Sequence, residues 1–146
     1  MPQVLHIDFE DMQIAFEDMQ ADGAWFLDTA TGDVIRAHED FEPDLLAEIE
    51  ATEDRYINIP FQGSAVGYED MWTFAETVVD PHLRGRLDRA LSGKGAFRRF
   101  KDVLLDVPPE RERWFAFQRA RVAERIQRWA RDEGFEAVAR PRPSPR

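Results

Sequence analysis

Along the first third of the chain the spacing of apolar residues changes period several times, and each change marks an element. Phe9, Met12, Phe16 and Met19 recur at intervals of three, four and three residues, which sets them on one face of a helix. The segment Phe9-Glu10-Asp11-Met12-Gln13 is echoed seven residues later by Phe16-Glu17-Asp18-Met19-Gln20. Two copies are too few for a coiled coil, so this reads as one amphipathic helix with an acidic outer face. Ala24-Trp25-Phe26-Leu27 then reads as a strand and Val34-Ile35 as its return. The turn residues Asp28 to Asp33 lie between them, with Gly32 free to take positive φ. A short helix follows over Glu42 to Ala51, with Pro43 in its first turn. Arg55-Tyr56-Ile57-Asn58-Ile59-Pro60 alternates as a third strand, stopped by Pro60.

From Tyr68 onward the period is helical. Tyr68, Met71, Trp72, Ala75 and Val78 or Val79 define one helix, closed by Asp80-Pro81. Leu83, Leu87, Ala90 and Leu91 define the next, closed by Ser92-Gly93, and Phe97, Phe100, Leu104 and Val107 a third, closed by Pro108-Pro109. The last and longest runs from about Glu110 to Glu133 and stops at Gly134. The expected fold class is α+β: a small three-stranded sheet, a hairpin plus one later strand, packed with five or six helices. Residues 1–138 are expected to form a single domain, with a disordered Pro/Arg tail over 139–146.

Composition narrows the chemistry. The chain has 146 residues, 43% of them hydrophobic, which is enough for a core without disulfides or a structural metal. Cysteine is absent, which excludes disulfides, thiolate zinc sites and a cysteine nucleophile. No secretory signal and no membrane span is legible, so the expected address is cytoplasmic. The net charge of −10 hides a division. Residues 1–80 hold 20 acids and 2 bases, whereas residues 81–146 hold 9 acids and 17 bases. Either the two halves satisfy each other or each meets its own partner.

Several motifs invite a function, and a plain structural account stands beside each. Asp28 to Glu39 has the length of a calcium loop, but Ala30 and Gly32 occupy two ligand positions and Asp33 stands where its glycine belongs. His6, His38 and His82 have no paired ligand spacing, so no metal and no cofactor is assigned. No carboxylate pair is marked out for acid–base work, so no catalytic residue is assigned either. Gly93-Lys94-Gly95 opens a helix and forms a weak anion-binding corner, without the remaining residues of a P-loop. Arg98, Arg99 and Lys101 spread over roughly 160° of their helix and form no single stripe. On the last helix Phe115, Val122, Ile126 and Trp129 form a core stripe, and beside it run Trp114, Phe117, Arg121, Arg125 and Arg128. Trp114, Arg121, Arg125 and Arg128 could form a surface for single-stranded nucleic acid, by stacking and phosphate contacts. Alternatively, Trp114 and Phe117 are core and the arginines meet the acidic half.

Leu27-Asp28 with Thr31-Gly32, then Arg55-Tyr56-Ile57-Asn58-Ile59-Pro60, then Gly93-Lys94-Gly95-Ala96-Phe97-Arg98-Arg99-Phe100-Lys101-Asp102 and Arg113-Trp114-Phe115-Ala116-Phe117 occur in that order after the early acidic helix. Together they resemble the bacterial uncharacterised protein family UPF0158, over residues 5–135. The resemblance implies a bacterial, single-domain, cytosolic protein, and it carries no catalytic residue. Three functions remain open. The preferred expectation is a non-enzymatic interaction protein whose basic helical half binds an acidic protein partner or a second copy of itself. The second is an accessory domain for RNA or single-stranded DNA, and the third an enzyme assembled from scattered Asp, Glu and Arg.

Overall fold

A computed structural model describes residues 3–18, 23–38, 40–52 and 54–141. Its elements run β1 (Gln3–Ile7), α1 (Phe9–Glu17), β2 (Gly23–Asp28), β3 (Val34–His38), α2 (Pro43–Ala51), β4 (Tyr56–Ile59), α3 (Ser64–Glu76), α4 (Pro81–Leu91), α5 (Ala96–Leu105), α6 (Pro108–Asp132) and β5 (Phe135–Ala139). The fold is α+β with a helical second half, as the changes of period predict. Met19, expected to end the first helical stripe, lies outside the described residues. The chain divides into two compact units, residues 1–62 with 122–146 and residues 63–121, where the sequence alone suggests one domain. The reason is legible in α6, whose apolar residues feed two separate cores. Trp114, Phe115 and Phe117 belong to one of them, and Val122, Ile126, Trp129 and Ala130 to the other.

The first unit holds both sheets. β2 is the centre of an antiparallel sheet ordered β3-β2-β4, with Phe26 opposite Ile35 and Leu27 opposite Ile57. β1 and β5 form a parallel pair, with Leu5 opposite Ala137. This pair was not legible in the sequence, because each strand offers only two inward residues, Leu5 with Ile7 and Phe135 with Ala137. Strand β5 also corrects the expected tail. Ala139 is paired, the backbone N–H of Arg140 donates to the Ile7 carbonyl at 2.7 Å, and residues 142–146 lie outside the described residues. Asp8 caps α1 by accepting from the N–H groups of Glu10 and Asp11, which satisfies donors that the first helical turn leaves open. Met12, Ala15 and Phe16 of α1 join Leu5, Ile7, Leu27, Ile59, Ile126 and Trp129 in this unit's core.

The second unit is helical. Asp80 caps α4 by accepting from the His82 N–H, and Pro81 occupies a first-turn position where a missing N–H costs nothing. The core of this unit centres on three rings. Phe74 and Trp114 lie 5.3 Å apart, and Phe100 and Trp114 4.9 Å apart, both edge to face. Met71, Leu83, Leu87, Leu91 and Leu104 surround them. The Tyr68 hydroxyl donates to the Leu91 carbonyl and ties α3 to the end of α4. Among the described residues no helix is long and apolar enough to cross a membrane.

Candidate functional site

The residues singled out on α6 separate once folded. Trp114 is 4% exposed and serves as the packing centre of its unit, so its ring has no face open for a base. This corrects its place in a nucleic-acid stripe: the aromatic that begins that stripe is core. Arg121 is also engaged, its Nε donating to Oδ1 of Asp70 at 3.1 Å. Asp70 is buried, on α3, and belongs to the acidic stretch of the sequence. A buried carboxylate needs such a partner, because a charge taken out of water is costly unless it is paired. Arg125 is half-buried and takes part in further interactions, whereas Arg128 is exposed. Nothing local marks Asp70 for burial, since an acid between Glu69 and Met71 looks like any other surface acid.

The second buried acid is Asp28, at the end of β2. Arg55 forks onto it, with Nε donating to Oδ1 at 3.0 Å and Nη2 to Oδ2 at 2.9 Å, while the Ala30 N–H donates to Oδ1 at 2.9 Å. The Arg55 hydrogen bonds, followed by that backbone N–H, hold the Asp28 carboxyl below the usual carboxylate range against the opposing effect of burial. Asp28 thus organises the turn through these bonds; Glu39, the last position of the calcium-loop comparison, lies outside the described residues. Arg140 closes the other side of the same turn, with Nη1 on Asp33 at 3.0 Å and Nη2 on the carbonyls of His6 and Thr31. Among the described residues no three His, Asp or Glu side chains converge as a metal site would require.

Among the described residues, two shallow depressions each lie within one unit. One, of about 370 Å³, is lined by Thr77, Val79, Asp80, Val107, Glu110 and Arg113. Arg113 binds Glu110 through Nη2 at 2.7 Å, donates from Nη1 to the Thr77 hydroxyl, and lies 4.4 Å over the Phe74 ring. Glu110 is thereby held by Arg113, and Asp80 caps α4. The other, of about 530 Å³, lies between the end of α6 and β5 and includes Arg131 and Glu136.

What remains is a cationic corner on the second unit. That unit holds 11 bases against 9 acids, whereas the first holds 8 against 20. Folding therefore redistributes the charge: the basic second half of the sequence is shared between an acidic unit and a nearly balanced one. Around the α4–α5 turn, Arg89, Lys94, Arg98, Arg99 and Lys101 are all exposed. Lys94 and Lys101 enter no hydrogen bond or ion pair among the described residues. Arg99 donates to the Ser92 carbonyl across the turn, and Arg98 stands a loose 3.9 Å from Asp102. Gly95 begins α5 in the left-handed region at φ 72° with no side-chain cap, so the first N–H groups of α5 face the Lys94 loop. Gly93, Lys94 and Gly95 are exposed at this turn, beside Phe97, which is 41% exposed and packs against the Gly67 position of α3.

These features define a two-unit α+β protein with a cationic corner on its helical unit. The sequence model of the uncharacterised protein family UPF0158 matches residues 2–144, and the chain belongs to that family. It is similar to the UPF0158 protein PA5073 of Pseudomonas aeruginosa, at 27% identity over 139 residues, covering 94% of this chain and 90% of that protein. No solved structure matches the chain.

Proposed function

We propose that the protein is a non-enzymatic interaction protein, and that the α4–α5 corner of its helical unit binds an acidic protein partner. The observation that carries this reading is the grouping of five exposed cations, Arg89, Lys94, Arg98, Arg99 and Lys101, around one turn, opposed locally by Asp88 and Asp102. Exposed cations raise the local concentration of an acidic partner and steer its approach. Phe97 and Leu105 supply exposed apolar area beside them, which a protein partner can bury and a phosphate backbone cannot. A nucleic-acid role through α6 has less support, because Trp114 and Arg121 are taken into the fold. The cytoplasmic address expected from the sequence belongs with this proposal.

The test is anisotropy of two labelled probes, an acidic amphipathic peptide and a single-stranded RNA, titrated with the full chain at low and high salt. Salt-sensitive binding of the peptide, lost in a Lys94→Glu, Arg98→Glu, Lys101→Glu variant, is the expected result. Tighter binding of the RNA, or equal binding by the variant, would overturn the reading.

A further inference from the structure

We infer that the partner's docking segment carries one large apolar residue flanked by acids, and that this residue seats on Phe97 beside α3; the inference rests on the interaction reading above. The charge of the corner alone would accept any acidic segment. The position of Phe97 narrows the choice. Lys94 lies in the turn three residues before it, and Lys101 follows one helical turn after it on the same face of α5. Both lysines are exposed and enter no hydrogen bond or ion pair among the described residues. Phe97 is thus an exposed apolar ring bracketed by cations. An apolar centre within a polar rim is where protein interfaces concentrate their binding energy.

The ring is also held in place. Its Cε1 lies 3.3 Å from where a Cβ of Gly67 would stand, so the missing side chain there lets Phe97 lie close against α3. Tyr68, the next residue, has its ring centre 6.4 Å from that of Phe97 and 6.3 Å from that of Trp72. The Tyr68 hydroxyl is tied to the Leu91 carbonyl, and both Tyr68 and Trp72 pack against the core of their unit. Of these three rings Phe97 is the exposed one. Single-stranded nucleic acid gains from several open rings in succession, whereas one exposed ring suits a single apolar side chain. Charge complementarity sets what flanks that side chain. Acids on either side of it face Lys94 and Lys101, and Arg98 adds a third cation, only loosely held by Asp102 at 3.9 Å.

The experiment titrates the full chain and its Phe97→Ala variant against two labelled peptides of equal charge, followed by anisotropy at low salt. One peptide carries a leucine between glutamates, and in the other that leucine is alanine. The leucine peptide should bind the wild type about tenfold more tightly than the alanine peptide. Phe97→Ala should erase that preference and leave the salt-sensitive binding of the alanine peptide unchanged, which a general loss of fold would not do. In the wild-type complex, nuclear Overhauser contacts should join the leucine methyls to the Phe97 ring, a reading that needs no variant. Equal binding of the two peptides by the wild type, a preference that survives in Phe97→Ala, or leucine contacts away from Phe97 would overturn the inference. If both peptides bind equally and with salt sensitivity, the anchor falls and the interaction reading stands; if neither binds, both fall.

Discussion

At the scale of single residues, the informative side chains are charged ones that the fold has taken inside. Asp28 has its carboxyl held below the usual range chiefly by Arg55, so it contributes stability above the unfolded carboxylate pKa, near pH 4, and loses it as pH falls through the folded value. In Asp28→Asn, acid unfolding should show less loss of stability across that window than wild type, and the neutral-pH stability should drop by about 1–3 kcal/mol in urea melts. Equal acid sensitivity in the two proteins would show that the pair is electrostatically idle. Arg121 and Arg128 make a second contrast along one helix. Arg121→Leu should cost about 1–3 kcal/mol, because Asp70 is buried against it. Arg128→Ala should stay within about 0.5 kcal/mol, as exposed substitutions do. Neither burial was legible from the sequence: an acid such as Asp70 shows its depth only when the helix facing it is known.

At the scale of elements, nearly every boundary follows from local signals. The Asp8 and Asp80 caps, the Pro43 and Pro81 starts and the two-residue alternation of Tyr56 to Ile59 are all local statements, and the chain obeys them. The β1–β5 pair is the exception, since it joins Gln3 to Phe135 and no local rule reaches that far. Gly32 sits where these scales meet. Its φ of 82° suits the turn, and a Cβ there would lie 2.3 Å from the His6 carbonyl oxygen of β1. Gly32→Ala should therefore destabilise by about 1–3 kcal/mol, seen as a lower urea midpoint, whereas a merely flexible turn would tolerate it. Deleting Phe135 to Arg146 should strip Phe135 and Ala137 from the core of the first unit and raise hydrogen exchange at Leu5 and Ile7. Unchanged protection at those amides would mean that β1 holds without its partner.

At the scale of the molecule, the division of charge along the sequence is real but is not the division of the fold. The second half of the chain contributes Arg140 to Asp33 in one unit and Arg121 to Asp70 in the other, so part of its charge is spent locally. Reading α6 as one amphipathic helix obscured this. Its apolar stripe changes owner near Arg121, and Trp114 falls beside the core stripe only when a single core is assumed. The break between α4 and α5 at Gly93 and Gly95 is legible because it depends on local backbone, whereas which neighbouring cations stay exposed depends on the folded unit. The central claim, that this corner of the helical unit is a binding face, is tested most directly by amide chemical-shift mapping of the labelled full chain titrated with an acidic amphipathic peptide. Shifts gathered on Lys94 to Leu105 and Arg89, fading as salt rises, are the predicted result. Shifts centred on Arg125 and Arg128, or none at low salt, would contradict it.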